Sequence, residues 1–407
     1  MTLRRAAPLL LAALFLLPPP ALAVFTAREM DTIDPEPLFD AEYFLDLLGF
    51  SYPLDWEWDW QASSTGYRIN GASLDKSDLL LDQQAVFSKR LLDKLSFRYD
   101  LEHHGDKDLV SLHQWLCFEA GPWAGFSFGL FGEPQFEKED ADIGALVRWS
   151  PWKGGSLYSS INAVDFSFNQ RNRTTQTYDR RPYTTEQGFT LPAAGGLLKG
   201  AVEVDLPLTR AIPDDDRVFG YRRTRALLRF DRPAAQGVLG LAAEYSYEFK
   251  RKADSYTPDP ANKDESFVRR VHQATLAGQL LAGPKDRIEA GGRFLRRSVE
   301  DSYRDAPGST RRGLRWEAQP YARWRRTLAP WAVSELAAFL SSGELRWDHP
   351  YAPGASTYDT IVRAKLGTGI DFVFGRAGRI GLYANLDLRD ADRHLWDGGN
   401  IRAMFLF

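Results

Sequence analysis

From Asp55 onward the chain alternates apolar and polar residues over segments of roughly 9 to 15 residues, the period-two spacing of strands whose two faces meet different surroundings. In Leu95-Ser96-Phe97-Arg98-Tyr99-Asp100-Leu101-Glu102 every odd position is apolar and every even one polar. Leu239, Leu241, Ala243, Tyr245, Tyr247 and Phe249 share one face of the next clear case, and Leu314, Trp316, Ala318, Pro320, Ala322 and Trp324 share another. Toward the C-terminus the even positions from Tyr358 to Phe374 and from Ile380 to Leu388 are largely apolar, and Ile401, Ala403, Phe405 and Phe407 line up in the last segment. A soluble sandwich alternates too, because each of its sheets has a wet face. The connections separate the two readings.

Short turns alternate with longer polar stretches, the rhythm of a transmembrane barrel with tight turns at one end and long loops at the other. The short set is 91–94, 120–122, 151–155, 192–196, 231–235, 282–285, 327–330 and 375–378. The long set is 103–107, 133–140, 169–181, 209–216, 251–265, 300–311, 341–356 and 390–398. Parity requires one further strand near Tyr183 to Leu191, since otherwise the Asp231 turn would fall on the wrong side. The expected fold is therefore all-β, a closed antiparallel transmembrane β-barrel over residues 53–407 with about 18 strands, 16 being the lower bound. Closure follows from the solvent, because lipid cannot hydrogen-bond a free strand edge.

The first 23 residues read as a cleaved signal peptide: Arg4 and Arg5 form a charged start, Ala6 to Leu17 an apolar run, and Ala21-Leu22-Ala23 a small-residue cleavage site. Residues 24–52 then form a periplasmic segment, in which Ala41, Phe44, Leu45 and Leu48 recur at the spacing of a short amphipathic helix. No later apolar run approaches the ~18 residues that a membrane helix needs.

Composition narrows the chemistry. A single cysteine, Cys117, excludes an intrachain disulfide and a cysteine-based zinc site. The formal charge is −3, from 51 basic and 54 acidic residues, so the strong basic excess of a nucleic-acid binder is missing. His103, His104, Asp106 and Asp108 have metal-ligand chemistry but fall in a long polar loop, where solvation accounts for them. Ser111 and His113 share a strand face without a third orienting group, so no enzyme, cofactor or metal is expected. Trp56, Trp58, Trp60, Trp123, Trp149, Trp152, Trp324 and Trp331 fall near strand ends, where headgroup-level aromatic girdles form.

With its signal peptide, alternating strands and terminal Phe407, the chain resembles bacterial outer-membrane β-barrel proteins of the porin-like kind over residues 53–407, without a motif tying it to a subfamily. The resemblance implies an outer-membrane location, contact with outer-membrane lipid, and a homo-oligomer such as a trimer. It also implies that Phe405 and Phe407 form part of a signal read by the barrel-assembly machinery.

If the apolar faces meet lipid, the other faces line a lumen. From residue 197 onward that lining is richer in arginine than in acid, with Arg225, Arg293, Arg315, Arg323 and Arg363 central in their strands and Glu244 and Glu317 among the acids. Guanidinium groups match carboxylates and phosphates, so such a wall favours anionic solutes. Earlier strands offer Asp100, Glu102, Glu119, Glu133 and Asp142 for the opposite wall. The expected function is a porin-like channel for passive passage or export of small or polymeric solutes, favouring anions. The alternative is a structural or scaffold barrel whose lumen is occluded by its own long side chains.

Overall fold

A computed structural model describes residues 66–406 except for short stretches at 76–77, 93, 106–109, 133–141, 165, 167–176, 214–215, 236, 257–263, 305, 376–377 and 390–394. The signal peptide, the 24–52 segment with its expected helix, Trp56, Trp58, Trp60, Glu133 and Phe407 lie outside the described residues.

Within them the period of two becomes one antiparallel sheet of nineteen strands. In chain order these are β1 (Gly66–Asp75), β2 (Asp78–Leu92), β3 (Leu95–Gly105), β4 (Val110–Trp123), β5 (Phe126–Gly132), β6 (Ile143–Trp152), β7 (Gly155–Ala163), β8 (Thr177–Arg180) and β9 (Tyr183–Ala193). They continue as β10 (Gly196–Ile212), β11 (Arg217–Arg232), β12 (Gly240–Tyr256), β13 (Glu265–Leu281), β14 (Asp286–Tyr303), β15 (Arg311–Ala329), β16 (Ala332–Asp348), β17 (Thr357–Val373), β18 (Gly378–Asp387) and β19 (Trp396–Leu406). Chain neighbours pair throughout except around β8. That strand and β9 share one edge of β10, at Thr209–Ala211 and Gly196–Asp205 respectively, while β7 pairs with β9. The first strand pairs with β2 on one edge and, from Gly66↔Leu406 to Leu74↔Gly399, with β19 on the other.

The sheet is inverted relative to a soluble protein. Along β15 the buried positions are Gly313, Arg315, Glu317, Gln319, Tyr321, Arg323 and Arg325, while Leu314, Pro320, Ala322 and Trp324 between them are exposed. The same holds on β13 and β14, where Leu276, Leu280, Ile288 and Phe294 are exposed and Gln279, Glu289, Arg293 and Arg297 buried. We call the charged face inner and the apolar face outer. Buried apolar clusters sit on the inner face as separate small groups, such as Ala242, Ala277, Tyr321 and Ala337, or Phe267 with Val299.

Glycine and the aromatics mark the short-turn end. The expected turn at 120–122 lies three residues later: Gly121 still donates its N–H to Lys94 O at 2.8 Å, and Pro122 sits where the β4–β5 register shifts. Proline is tolerated at such an irregularity because no ladder donor is needed there. The reversal falls on Gly125, whose φ of 76° suits a residue without Cβ; an added Cβ would meet Ser150 O at 2.8 Å. Trp123, Trp149, Trp152 and Trp331 are exposed beside these turns; Trp149 packs against Phe126 and Trp152, and Trp331 stacks on Phe372. Trp324 lies within β15, and its Nε1 donates to Asp286 at 2.9 Å.

Expected long loops are shorter than the sequence implied, since β10 continues to Ile212, β12 to Tyr256, β14 to Tyr303 and β16 to Asp348. The 231–235 turn is instead longer and reaches Leu239, with an Ala235↔Val238 bridge around Gly237. At Tyr183–Ala193 a strand stands where parity required one. One irregularity crosses three strands: Leu206 and Pro207 of β10 have no ladder partner among the described residues, because the β11 register shifts between Asp205 and Leu208 and the β9 ladder stops at Asp205 before β8 begins at Thr209.

Candidate functional site

The inner face of β10–β18 carries the chain's concentrated chemistry, placed there by alternation and matched by register. Residues directly opposite across a ladder have Cβ atoms about 5 Å apart, so arginine and carboxylate at paired positions can meet. Glu203 lies opposite Arg225, which lies opposite Glu248. Arg225 Nε donates to Glu248 Oε2 at 3.0 Å, with Glu203 at 3.9 Å on its other side. Arg223 bridges Glu203 at 2.7 Å and Asp205 at 2.8 Å, and Arg269 reaches Glu248 at 2.6 Å. Glu244 meets Arg229 at 3.5 Å, and Arg229 also holds the buried Asp231 at 2.7 Å.

A second group joins three of the sequence-selected residues. Arg293 Nε donates to Gln319 Oε1 at 2.7 Å, Gln319 Nε2 donates to Glu317 at 2.8 Å, and Arg315 Nη2 donates to Glu317 at 2.8 Å. Ser341 Oγ completes the acceptor shell of Glu317, which is fully buried.

The third group is a chain of alternating charge. Glu289 accepts from Tyr321 Oη and from Arg323 Nη2, each at 2.7 Å. Arg323 continues to Glu335 at 3.5 Å, Glu335 to Arg325 at 3.7 Å, and Arg325 to Asp371 at 3.4 Å. Asp371 also accepts from Arg379 and from Tyr383 Oη, the latter at 2.6 Å. Arg363 of β17 faces Ser341 in the register and is half-buried.

Exposure divides this face. Arg323 keeps 1% of its side-chain surface and Arg325 5%, whereas Arg225 keeps 50% and Arg229 37%. The open part borders a cavity of about 640 Å³, walled by Glu186, Glu203, Arg225, Glu248, Arg269, Arg297 and Arg315 among others. Among the early strands, Glu119 pairs with Arg148 at 3.1 Å, and Asp142 accepts from Asn162 at 2.9 Å. Cys117 is partly buried, in no disulfide, and in register with Arg98. The side chains of Asp100, Glu102, Ser111, His113, Trp115 and Phe405 lie outside the described residues; the backbone of Phe405 pairs with Tyr67 and Gly378.

The expected arginine excess is thus largely compensated by neighbouring acids. Several of those acids had fallen in predicted turns or loops: Asp231, Asp254, which binds Arg217 at 2.6 Å, and Asp301, which binds Arg311 at 3.2 Å. Each keeps the inner-face parity of its strand, and following that parity past the end of the outer apolar run would have found them.

No family model matches the chain, and no curated protein matches it. Among solved structures it is similar to outer-membrane proteins. A loop-deletion form of OmpT of Vibrio cholerae aligns at 11% identity and TM-score 0.37, covering 84% of this chain and 97% of that one. OccK11 of Pseudomonas aeruginosa aligns at 11% and 0.37, covering 84% and 93%. The outer membrane channel DcaP of Acinetobacter baumannii aligns at 11% and 0.36, covering 84% and 95%.

Proposed function

We propose that the sheet closes into a transmembrane barrel in a bacterial outer membrane and works as a porin-like channel for small solutes. One observation carries the reading: the exposed face of strand after strand is apolar while the covered face is charged and paired, the arrangement that suits lipid outside and water within. The β1–β19 ladder supports closure, since it joins the first strand of the sheet to the last. With β8 and β9 sharing one place beside β10, nineteen strands fill eighteen positions, an even number as single-chain bacterial barrels have.

The solute preference we assign is modestly anionic. The cavity wall carries four guanidinium groups, on Arg225, Arg269, Arg297 and Arg315, against the three carboxylates of Glu186, Glu203 and Glu248. Arg225 is the most exposed of the sequence-selected arginines whose ion pairs are described, so its guanidinium borders the cavity most openly. Purified protein in a planar bilayer should give stepwise conductance with a reversal potential on the anion side in a potassium chloride gradient. Arg225→Ser should move that potential toward cations without changing folded yield. A second reading, a scaffold barrel with an occluded lumen, is favoured by the nearly dry Arg323–Glu335–Arg325–Asp371 chain. Silence from correctly folded protein decides for it and against the channel.

A further inference from the structure

Across β11–β14 the outer face carries a cluster of arginines. Arg222 of β11, Arg251 of β12, Arg270 of β13 and Arg296 of β14 are all exposed on the apolar side of the sheet. The register makes them neighbours: Arg222 lies opposite Arg251, Arg270 opposite Phe249, and Arg296 opposite His272. Phe249 sits between two of them, with the Arg222 guanidinium 5.1 Å and the Arg270 guanidinium 5.6 Å from its ring centroid. Tyr247 packs against His272 at 4.9 Å, and Tyr245 Oη is 2.9 Å from His272 Nδ1, so aromatic rings floor the patch.

Three other outer-face arginines are neutralised within the chain, Arg312 by Glu300 at 3.2 Å, Arg346 by Asp348 at 2.8 Å and Arg326 by Asp286 at 3.7 Å. None of the four patch arginines forms an ion pair with a described residue. Four adjacent cations without internal compensation form a site that an external anion completes. The patch lies toward the long-connection end of the strands, and the same outer faces run on from it into Leu228, Leu276 and Phe294.

We propose that this patch binds the phosphate of an anionic lipid headgroup, with the lipid's chains lying along the apolar residues next to it. The vertical order, cations over exposed apolar side chains, matches a lipid and no free anion, and a cation–π floor holds the guanidinium planes at the wall. The proposal rests on the reading that the outer face meets lipid.

The test is native mass spectrometry of the full protein carried in detergent containing dioleoylphosphatidylglycerol or dioleoylphosphatidylcholine. Wild-type protein should retain the anionic lipid preferentially. The variant Arg222→Gln/Arg251→Gln/Arg270→Gln/Arg296→Gln should lose that preference by about tenfold or more. Arg312→Gln/Arg346→Gln, which removes two outer-face charges from paired positions, the same number as Arg270→Gln/Arg296→Gln removes from the patch, should retain it. If the fourfold variant fails to fold, Arg270→Gln/Arg296→Gln carries the same comparison. Equal retention of both lipids, an unaffected variant, or displacement of phosphatidylglycerol by inorganic phosphate alone overturns the proposal. Conductance measured on the same preparation separates the two readings: protein that inserts and conducts but shows no headgroup preference loses only this proposal, and protein that does not enter bilayers loses both.

Discussion

At the scale of single residues, Asp371 shows what the inner charges contribute. Its carboxylate is 1% exposed and takes donors from Arg325, Arg379 and Tyr383. Removing one member of a buried pair leaves its partner desolvated, which costs more than the pair itself contributes. Asp371→Ala should therefore destabilise the folded protein by about 3 kcal/mol or more, read as a lower temperature for conversion of the compact band to the unfolded band in gel electrophoresis. Arg225→Ser should leave that temperature nearly unchanged, because a half-exposed ion pair contributes about 1 kcal/mol or less. The positions of Arg293, Arg315 and Arg323 on the inner face were legible from alternation. Their partners were not, because which acid stands opposite which arginine depends on register, and a single sequence shows parity without register.

At the scale of the strand, the outer faces carry the test of which side meets lipid. Leu276 on β13 is 63% exposed and Leu382 on β18 43%. Either one replaced by arginine should cost roughly 2 to 4 kcal/mol if it lies near the bilayer midplane, whereas Leu276→Phe should be tolerated. Folded yield after refolding into vesicles measures the difference, and harmless arginine substitutions would mean the two faces are assigned in reverse. Strand identity was readable because two-residue periodicity survives mixed composition, but strand ends were not. The alternation of β12 and β16 continues with polar outer residues such as Arg251, Ser255, Glu344 and Arg346, which resemble loop composition although the backbone ladder persists. Gly121-Pro122 misled in the opposite direction, since a turn-forming dipeptide there occupies an irregular ladder position three residues before the reversal at Gly125.

At the scale of the whole molecule, β19 holds β18 on one edge and β1 on the other. Deleting residues 405–407 removes the pairings of Tyr67 and Gly378 with Phe405 and shortens the seam at which the first and last strands join. Such a truncation should lower the amount of heat-modifiable protein recovered from outer membranes while leaving export to the periplasm intact. Unchanged recovery would argue against a role of Phe405 and Phe407 in assembly.

The interruption at Leu206–Pro207 has a consequence for motion. Wall stiffness in a sheet comes from uninterrupted ladders, and here both edges of β10 lose their partners at the same height, where β8 hands over to β9. Amide deuterium uptake should report it: the Leu206 and Leu208 amides should exchange sooner than those of Val202 and Val204 one turn of the pleat away, because opening there disrupts fewer bonds. Solvent would then reach the wall sideways at this notch before it reached any other part of β10, making it the place where β10 begins to open.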